Sequence, residues 1–143
     1  MLRGVGALSR TSGGGGLSIV SSPCVLDRVG GYIAAMRFAL STAQHKTTWD
    51  RLDASWQVAD ELDVFESAWL FDHFYPLFTA PTEPCLEGWT ALAMLLARTS
   101  RIRGALLVSA MPYRHPAVLA NMIATIDIAS AGRLEIGLGA GWF

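Results

Sequence analysis

One complete strand–helix–strand unit lies in residues 101–139, RIRGALLVSAMPYRHPAVLANMIATIDIASAGRLEIGLG. Its first strand, RIRGALLVSA, is almost continuously apolar, as buried parallel strands are. Pro116 suits the first turn of the helix that follows, and Gly132 suits its C-terminal end. The second strand is predicted at RLEIGLG, residues 133–139. A helix that joins two strands in this way predicts parallel strands with a right-handed crossover.

Two further strand–helix pairs precede this unit. The first strand is predicted at MRFALST, residues 36–42, and the first helix at DRLDASWQVADELDVF with Thr47 or Thr48 as its N-cap. The second strand is predicted at ESAWLFD and the second helix at CLEGWTALAMLLARTS. Three strand–helix pairs followed by a fourth strand predict an α/β fold with a parallel sheet.

Four parallel strands in this order cannot close on themselves. They form either a small open sheet or the first half of an eight-stranded (βα)8 TIM barrel, which needs about 250 residues. An open, doubly wound sheet is expected to carry a glycine-rich phosphate turn after its first strand, and residues 41–48, STAQHKTT, contain no glycine. The half-barrel is therefore the favoured fold. Its first and fourth strands are then expected to be unpaired edges.

The N-terminal residues differ from the rest in composition. Residues 1–35 contain four consecutive glycines and many serines, and show neither strand alternation nor a helical stripe. We expect them to be a disordered, flexible leader, or an over-extended start with Met36 as the natural first residue. Residues 36–143 are then the N-terminal half of the barrel.

Composition and charge exclude several classes of function. The net charge is −1 and lysines and arginines do not cluster, so no nucleic-acid partner is expected. Apolar runs fall short of the 18 or more residues of a membrane span, so no membrane partner is expected. Cys24 and Cys85 are far apart without metal-ligand spacing, which predicts no disulfide framework, no metal site and a cytoplasmic location.

The loops that follow the predicted strands contain polar residues and glycines. In a parallel barrel these loops form the active-site face. They are Ser41–His45, Asp72–Pro76, Ser109–His115 and Gly137–Trp142. The candidate functional residues are therefore expected to lie together at one end of the strands.

Asp72 and His73 are the strongest candidates for chemistry in these loops. A carboxylate beside an imidazole can set its tautomer, and a histidine with a pKa near neutrality can relay protons. A structural histidine at the strand end is an equally good interpretation. Phe74, Tyr75 and Phe78 suit a pocket wall or core better than chemistry.

Two other loops carry open alternatives. Residues 113–116, YRHP, supply either a cation and a second imidazole, or a surface loop in which His115 caps the third helix. Ser109 is either a hydrogen-bond donor to a ligand or an ordinary strand-end serine. GLGAG, residues 137–141, lacks the spacing and the following helix of a dinucleotide fingerprint. Its glycines suit either close approach of a flat ring or anion, or a simple turn.

The order of several motifs resembles the N-terminal half of the luciferase-like monooxygenase family, and most closely its coenzyme F420-dependent members. The similarity covers about Met36 to Phe143, and rests on DHF…P, E-x-W-T, RIR, YRHPA, T-x-D-x-x-S-x-GR and GLGAGW in that order. The resemblance implies a (βα)8 barrel that holds a flavin-like ring at the carboxyl ends of its strands. It also implies a small-molecule substrate and a homo-oligomeric full-length enzyme.

The same resemblance assigns roles to residues. His73 is expected near the reactive carbon of the ring as a proton relay or cofactor contact, with Asp72 beside it. A non-prolyl cis peptide behind the ring is expected in the third strand, within the cofactor-binding residues Leu106, Leu107, Val108 and Ser109. Gly139, Ala140 and Gly141 are expected to line the cofactor pocket. Ala105 and Leu106 stand where members commonly have a Gly-Thr type sequence, which removes one polar contact.

Three functions follow from these observations. The first is a fragment of an oxidoreductase that transfers hydride between F420 and a small organic substrate. The second is an FMN-dependent monooxygenase of the same family; its members often have Glu-His-His where this chain has Asp72, His73 and Phe74, which favours F420. The third is a non-catalytic half-barrel remnant that acts only by association with another chain.

Overall fold

The computed structural model of the chain describes residues 18–22 and 37–143. Its elements, in chain order, are β1 (Ser18–Ser22), β2 (Arg37–Ser41), α1 (Trp49–Glu61), β3 (Phe65–Leu70), α2 (Gly88–Arg98), β4 (Arg103–Leu106), β5 (Ser109–Ala110), a 3₁₀ turn (Met111–Tyr113), α3 (Pro116–Ala129) and β6 (Leu138–Gly139). No helix in these ranges is long and apolar enough to cross a lipid bilayer.

The strands form one mixed sheet and one short parallel pair. The sheet has the order β1-β2-β3-β4, in which β2, β3 and β4 are parallel and β1 is antiparallel to β2. The outer edge of β4 is bridged at Gly104 by Leu134. Beyond β4, β5 pairs with β6 in parallel. The carboxyl ends of β3, β4 and β5 therefore lie at one edge of the structure, as the predicted α/β fold requires.

Helices α1 and α2 bury one face each against this sheet. Trp56 of α1 and Trp89, Leu92 and Leu96 of α2 are fully buried with the sheet residue Leu106. Burial of each such side chain contributes about 1.5–3 kcal/mol. The apolar stripe that the sequence shows in each helix is thus the face that meets the strands.

Glycine at position 104 leaves room for two leucine side chains of α2. A Cβ at Gly104 would lie 2.9 Å from both Leu92 Cδ1 and Leu96 Cδ2. The absence of a side chain lets α2 approach β4 closely, and the bulky leucines of α2 fill the space.

Arginines of the RIR and GR motifs hold the opposite edge of the sheet, where the parallel strands begin. Arg101 donates to the carbonyl oxygens of Ala59, Asp60 and Leu62 at the end of α1, and to that of Phe65. Arg103 pairs with Glu135 at 2.7 Å. Arg133 donates to the carbonyl oxygens of Leu96 and Ile102. These motif residues therefore support the fold.

The predicted elements are found with three corrections. First, the leader was expected to contain no strand, but β1 pairs along the outer edge of β2, which is therefore not an unpaired edge. Second, the predicted strand at residues 101–110 is interrupted between β4 and β5. Third, the predicted strand at residues 133–139 is reduced to a bridge at Leu134 and the two residues of β6. The remaining leader residues, 1–17 and 23–35, and the proposed start at Met36 lie outside the described residues.

Candidate active site

The candidate site is formed by loops at the carboxyl ends of β2, β3, β5 and β6. His73 lies after β3, and its ring centroid is 6.4 Å from that of Tyr113 and 5.5 Å from that of Trp142. His45, after β2, lies 5.1 Å from Phe71 between centroids, and Phe71 lies 5.7 Å from His73. The structure therefore brings together residues of all four predicted active-site loops.

Asp72 points away from this face and into the protein. Its side chain is 1% exposed and accepts hydrogen bonds from Arg114 at 2.6 and 2.9 Å, from the Ser109 hydroxyl at 2.7 Å and from the Ala110 amide at 3.3 Å. The prediction that this carboxylate sets the tautomer of His73 is therefore wrong. Asp72 is held by β5 and by the turn that follows, because those groups supply enough donors to offset the cost of burying the charge.

Arg114 joins Asp72 to helix α2. Its guanidinium also donates to Glu87 at 2.5 Å, and Glu87 caps α2 by accepting from the amides of Trp89 at 3.2 Å and Thr90 at 2.7 Å. Desolvation lowers the pKa of Arg114, but the bonds and charges of Asp72 and Glu87 outweigh it and raise the pKa. Arg114 is therefore not a surface-loop residue. It is also not a free cation at the site, because its guanidinium is bonded to Asp72 and Glu87.

Ser109 belongs to the same buried network. Its hydroxyl donates to Asp72 and accepts from the indole N–H of Trp89 at 3.0 Å, and the residue is inaccessible to solvent. The expectation that this hydroxyl donates to a ligand is therefore corrected, because its proton is already used inside the protein. Trp89 and Glu87, both from the E-x-W-T motif, are site-supporting residues that sequence reasoning did not single out.

His73 is partly buried and surrounded by aromatic rings. Burial lowers the pKa of its imidazole, and the nearby charge of Asp72 opposes this only in part. The imidazole is therefore more readily neutral near pH 7 than an exposed histidine. A neutral imidazole has one N–H and one free nitrogen lone pair, which is the state a proton relay needs.

The loop that carries His73 is fixed from the side of β2. The fully buried Gln44 accepts from the Phe71 amide at 3.2 Å and donates to the Phe71 carbonyl oxygen. His45 Nδ1 accepts from the Leu77 amide at 3.0 Å. Both residues were named only as part of the Ser41–His45 loop, and no spacing in the sequence distinguishes them as partners of the His73 loop.

The predicted cis peptide is present at the carboxyl end of β4. The bond between Leu107 and Val108 is cis, and both side chains are partly exposed. The Leu107 amide donates to the Leu70 carbonyl oxygen at 2.7 Å, so this segment lies beside the start of the His73 loop. Leu106, by contrast, is buried in the core and cannot contact a ligand through its side chain.

The glycines of GLGAG are explained largely by contact with Val108. A Cβ at Gly137 would lie 2.8 Å from the Leu106 carbonyl oxygen and 2.9 Å from Val108 Cγ1, and a Cβ at Gly139 would overlap Val108 Cγ2. Gly141 has φ +84°, a conformation that favours glycine. Ala140 is exposed. The turn therefore fits closely around the bulge at Val108, and its outer surface remains open.

The remaining candidates take different positions. His115 is the N-cap of α3 and accepts from the Ala117 amide at 3.2 Å, which confirms the capping interpretation. Phe74, Tyr75 and Phe78 are exposed, so they are not core residues. Among the described residues, no group of three or more His, Cys, Asp or Glu is placed to hold a metal ion.

Comparison with known proteins identifies the family. A model of the luciferase-like monooxygenase family matches residues 30–143. The chain therefore belongs to this family, which confirms the resemblance seen in its motifs. An F420-dependent hydroxymycolic acid dehydrogenase of Mycobacterium tuberculosis is 32% identical over 139 residues, which are 96% of this chain and 37% of that protein.

Solved structures show the same fold. An F420-dependent secondary alcohol dehydrogenase, solved with an F420–acetone adduct, matches 72% of this chain and 31% of its own with a TM-score of 0.65 and 21% identity. The oxygenating constituent of 3,6-diketocamphane monooxygenase from Pseudomonas putida, solved with FMN, matches 66% of this chain and 25% of its own with a TM-score of 0.56 and 26% identity. The chain thus spans 25–37% of the length of these three proteins.

Proposed function

We propose that the chain forms the N-terminal half-barrel of an F420-dependent oxidoreductase that transfers hydride between the deazaflavin and a small organic substrate. The observation that carries this proposal is the position of His73. It lies at the carboxyl edge of the strands, its pKa is lowered by burial, and the neighbouring carboxylate is committed to Arg114. An imidazole free of a carboxylate partner can exchange a proton with a substrate.

The residues at this edge suit a flat ring. Leu107 and Val108 present partly exposed apolar side chains at the end of β4, and the turn at Gly139–Gly141 packs against Val108. Leu107, Val108 and the turn residues 139–141 would hold the ring. Leu106 is buried beneath this surface and would support it. The chemistry that a bound F420 would supply at this edge is donation or acceptance of the hydride. The named dehydrogenase relative, similar over 96% of this chain, supports this choice of cofactor.

The role of His73 follows from its neutral state. Conversion of an alcohol to a carbonyl releases a proton from the hydroxyl group, and the reverse reaction takes one up. The imidazole accepts that proton in one direction and returns it in the other. The aromatic side chains of Tyr113 and Trp142 lie beside the imidazole of His73 and shield it from part of the solvent.

Use of FMN with oxygen insertion is the second candidate. It is supported by the similarity to the FMN-containing oxygenating constituent of 3,6-diketocamphane monooxygenase. The aromatic surface around His73 suits either ring system, so the two cofactors must be distinguished by binding. A non-catalytic half-barrel that only associates with another chain is the third, and it predicts that neither cofactor binds.

Fluorescence titration of the 143-residue chain with F420 and with FMN tests these candidates. We expect F420 to bind at least ten-fold more tightly than FMN. Val108→Glu places a charge where the ring would lie and should abolish binding of F420. Val64→Glu is the matched control, because Val64 is exposed and lies just before β3, at the opposite edge. Tighter binding of FMN would favour the FMN-dependent monooxygenase. If neither cofactor binds, the non-catalytic half-barrel is the candidate that remains.

Turnover separates binding from chemistry. Secondary alcohols are the probes of choice, because both named F420-dependent relatives are dehydrogenases of hydroxyl compounds. His73→Gln should retain F420 binding and lower turnover about 100-fold or more, the usual contribution of a positioned proton-transfer group. If turnover of the His73→Gln variant is unchanged, His73 does not take part in proton transfer. An equal loss of folding and turnover would make it structural.

A further inference from the structure

The tautomer of His73 must be fixed by a group other than Asp72. Within the described ranges, the hydrogen bond found at its ring joins Nδ1 to the hydroxyl oxygen of Tyr113, at 3.5 Å. Asp72 is occupied by Arg114, Ser109 and Ala110. Tyr113 is therefore the polar side chain that is placed to control the imidazole.

Tyr113 is itself held in place. It ends the 3₁₀ turn Met111–Tyr113 that follows β5, and its ring lies 4.8 Å from that of Phe74 between centroids. The guanidinium carbon of Arg114 lies 5.6 Å from the centroid of Phe74 on the same side of the site. The buried ion pair that anchors Arg114 thus also anchors the segment that presents Tyr113.

The direction of the hydrogen bond follows from the donors available. A phenol has one proton, and that of Tyr113 is donated to the main-chain oxygen of Phe143, the last residue of the chain, at 2.9 Å. This oxygen carries no proton, so it can only accept a hydrogen bond and the Tyr113 proton must lie between the two atoms. Toward His73 the phenol oxygen is then an acceptor, and the proton between them must come from Nδ1.

We propose that Tyr113 is a positioning residue that fixes His73 in the tautomer with its proton on Nδ1. A neutral imidazole carries one N–H, so Nε2 keeps its lone pair and is the atom that accepts a proton. The catalytic meaning of this assignment rests on the proposed function. The tautomer itself is a property of the chain, and can be measured without cofactor or substrate.

Nitrogen NMR of the full chain labelled with ¹⁵N-histidine tests the assignment, because the two ring nitrogens give distinct shifts when protonated and when free. His73→Gln identifies the signals of His73 among those of His45 and His115. At a pH above the His73 pKa we expect the wild-type signals to show Nδ1–H and a free Nε2. Tyr113→Phe removes only the hydroxyl, and should shift the signals toward the Nε2–H form.

Tyr75→Phe is the matched control. Tyr75 is exposed in the loop that carries His73, and no hydrogen bond to His73 is found for it in the described structure. This variant should leave the signals unchanged. Wild-type signals of the Nε2–H form, or signals that do not respond to Tyr113→Phe in a folded protein, would overturn the proposal.

The outcome is independent of the proposed function. If Tyr113→Phe alters the tautomer while neither F420 nor FMN binds, the proposed function fails and the assignment of Tyr113 stands. If F420 binds and secondary alcohols are oxidised while the tautomer does not respond, the assignment fails and the proposed function stands.

Discussion

At the scale of single residues, the buried pair of Arg114 and Asp72 is the interaction on which the site depends. It joins the His73 loop, β5 and α2, although these segments are far apart in sequence. Arg114 itself is only 11% exposed in its side chain. A charge left alone in such surroundings is costly, so the pair acts as a clamp on the loop that carries His73.

Arg114→Met should destabilise the chain by about 3–5 kcal/mol, because it leaves Asp72 buried without its countercharge. Urea denaturation followed by tryptophan fluorescence measures the change. Arg98→Met is the control, since it breaks the bidentate pair between Arg98 and Asp53 on the exposed surface. A loss for Arg114→Met no larger than that for Arg98→Met would show that the clamp does not hold the fold.

The Arg114–Asp72 pair also shows which features of the site could not be predicted from the sequence. The adjacency of Asp72 and His73 correctly indicated the loop, because residues after parallel strands share one edge. It could not indicate where the carboxylate points, since its partners Arg114 and Ser109 lie 42 and 37 residues away. The choice of partner depends on the path of the chain after β5.

At the scale of elements, Asp60 joins the end of α1 to the start of β4. Its carboxylate accepts from the amides of Ser100, Arg101 and Ile102 at 2.7–2.8 Å and from the Ser100 hydroxyl at 2.9 Å. Burial raises the pKa of Asp60, but these hydrogen bonds outweigh it and lower the pKa from 3.8 to about 2. The charged form therefore belongs to the folded state.

Asp60 should make the stability of the chain depend on pH. Because its pKa is lower in the folded state, its contribution is complete above about pH 4 and is lost as the pH falls toward 2. Asp60→Asn should cost about 1–2 kcal/mol at pH 7 and show a smaller loss over that acid range. Urea midpoints at several pH values test this. Asp63→Asn, at an exposed position without a side-chain hydrogen bond in the described structure, should follow the wild type.

The elements themselves were largely predictable. The helical stripe of Trp56 and Ala59 and the cap at Thr48 are local signals, and both are confirmed. The shortening of the last strand was not predictable. Gly137 and Gly139 pack on Val108, whose position is set by the irregular backbone between β4 and β5. The sequence pattern carries no information on that contact.

At the scale of the whole molecule, α2 and α3 leave an apolar groove of about 640 Å³ on the outside of the sheet. Its lining includes Trp89, Met94, Val118, Met122 and Ile126, and only Leu119 and Ile126 of α3 are buried. The lining also includes the polar residues Thr90, Asn121 and Thr125, and a largely apolar surface of this kind is typical of an interface. The homo-oligomer stays a prediction, and this groove is the surface at which it can be tested.

We expect the chain to self-associate through this groove. Val118→Glu should shift the sedimentation profile toward the monomer, because it places a charge in the apolar contact. Val58→Glu is a matched control, since Val58 of α1 is 55% exposed and Val118 is 54% exposed. Equal effects of the two variants, or a monomeric wild type in sedimentation velocity, would contradict the prediction.

The antiparallel strand β1 has a consequence for how this sheet can grow. A strand edge has one row of amides and carbonyls, and on the outer side of β2 that row is already paired with Ser18–Ser22. A parallel strand that joins the sheet there must first displace β1. Pairing of this edge with the N-terminal segment and pairing of it with a further parallel strand are thus mutually exclusive.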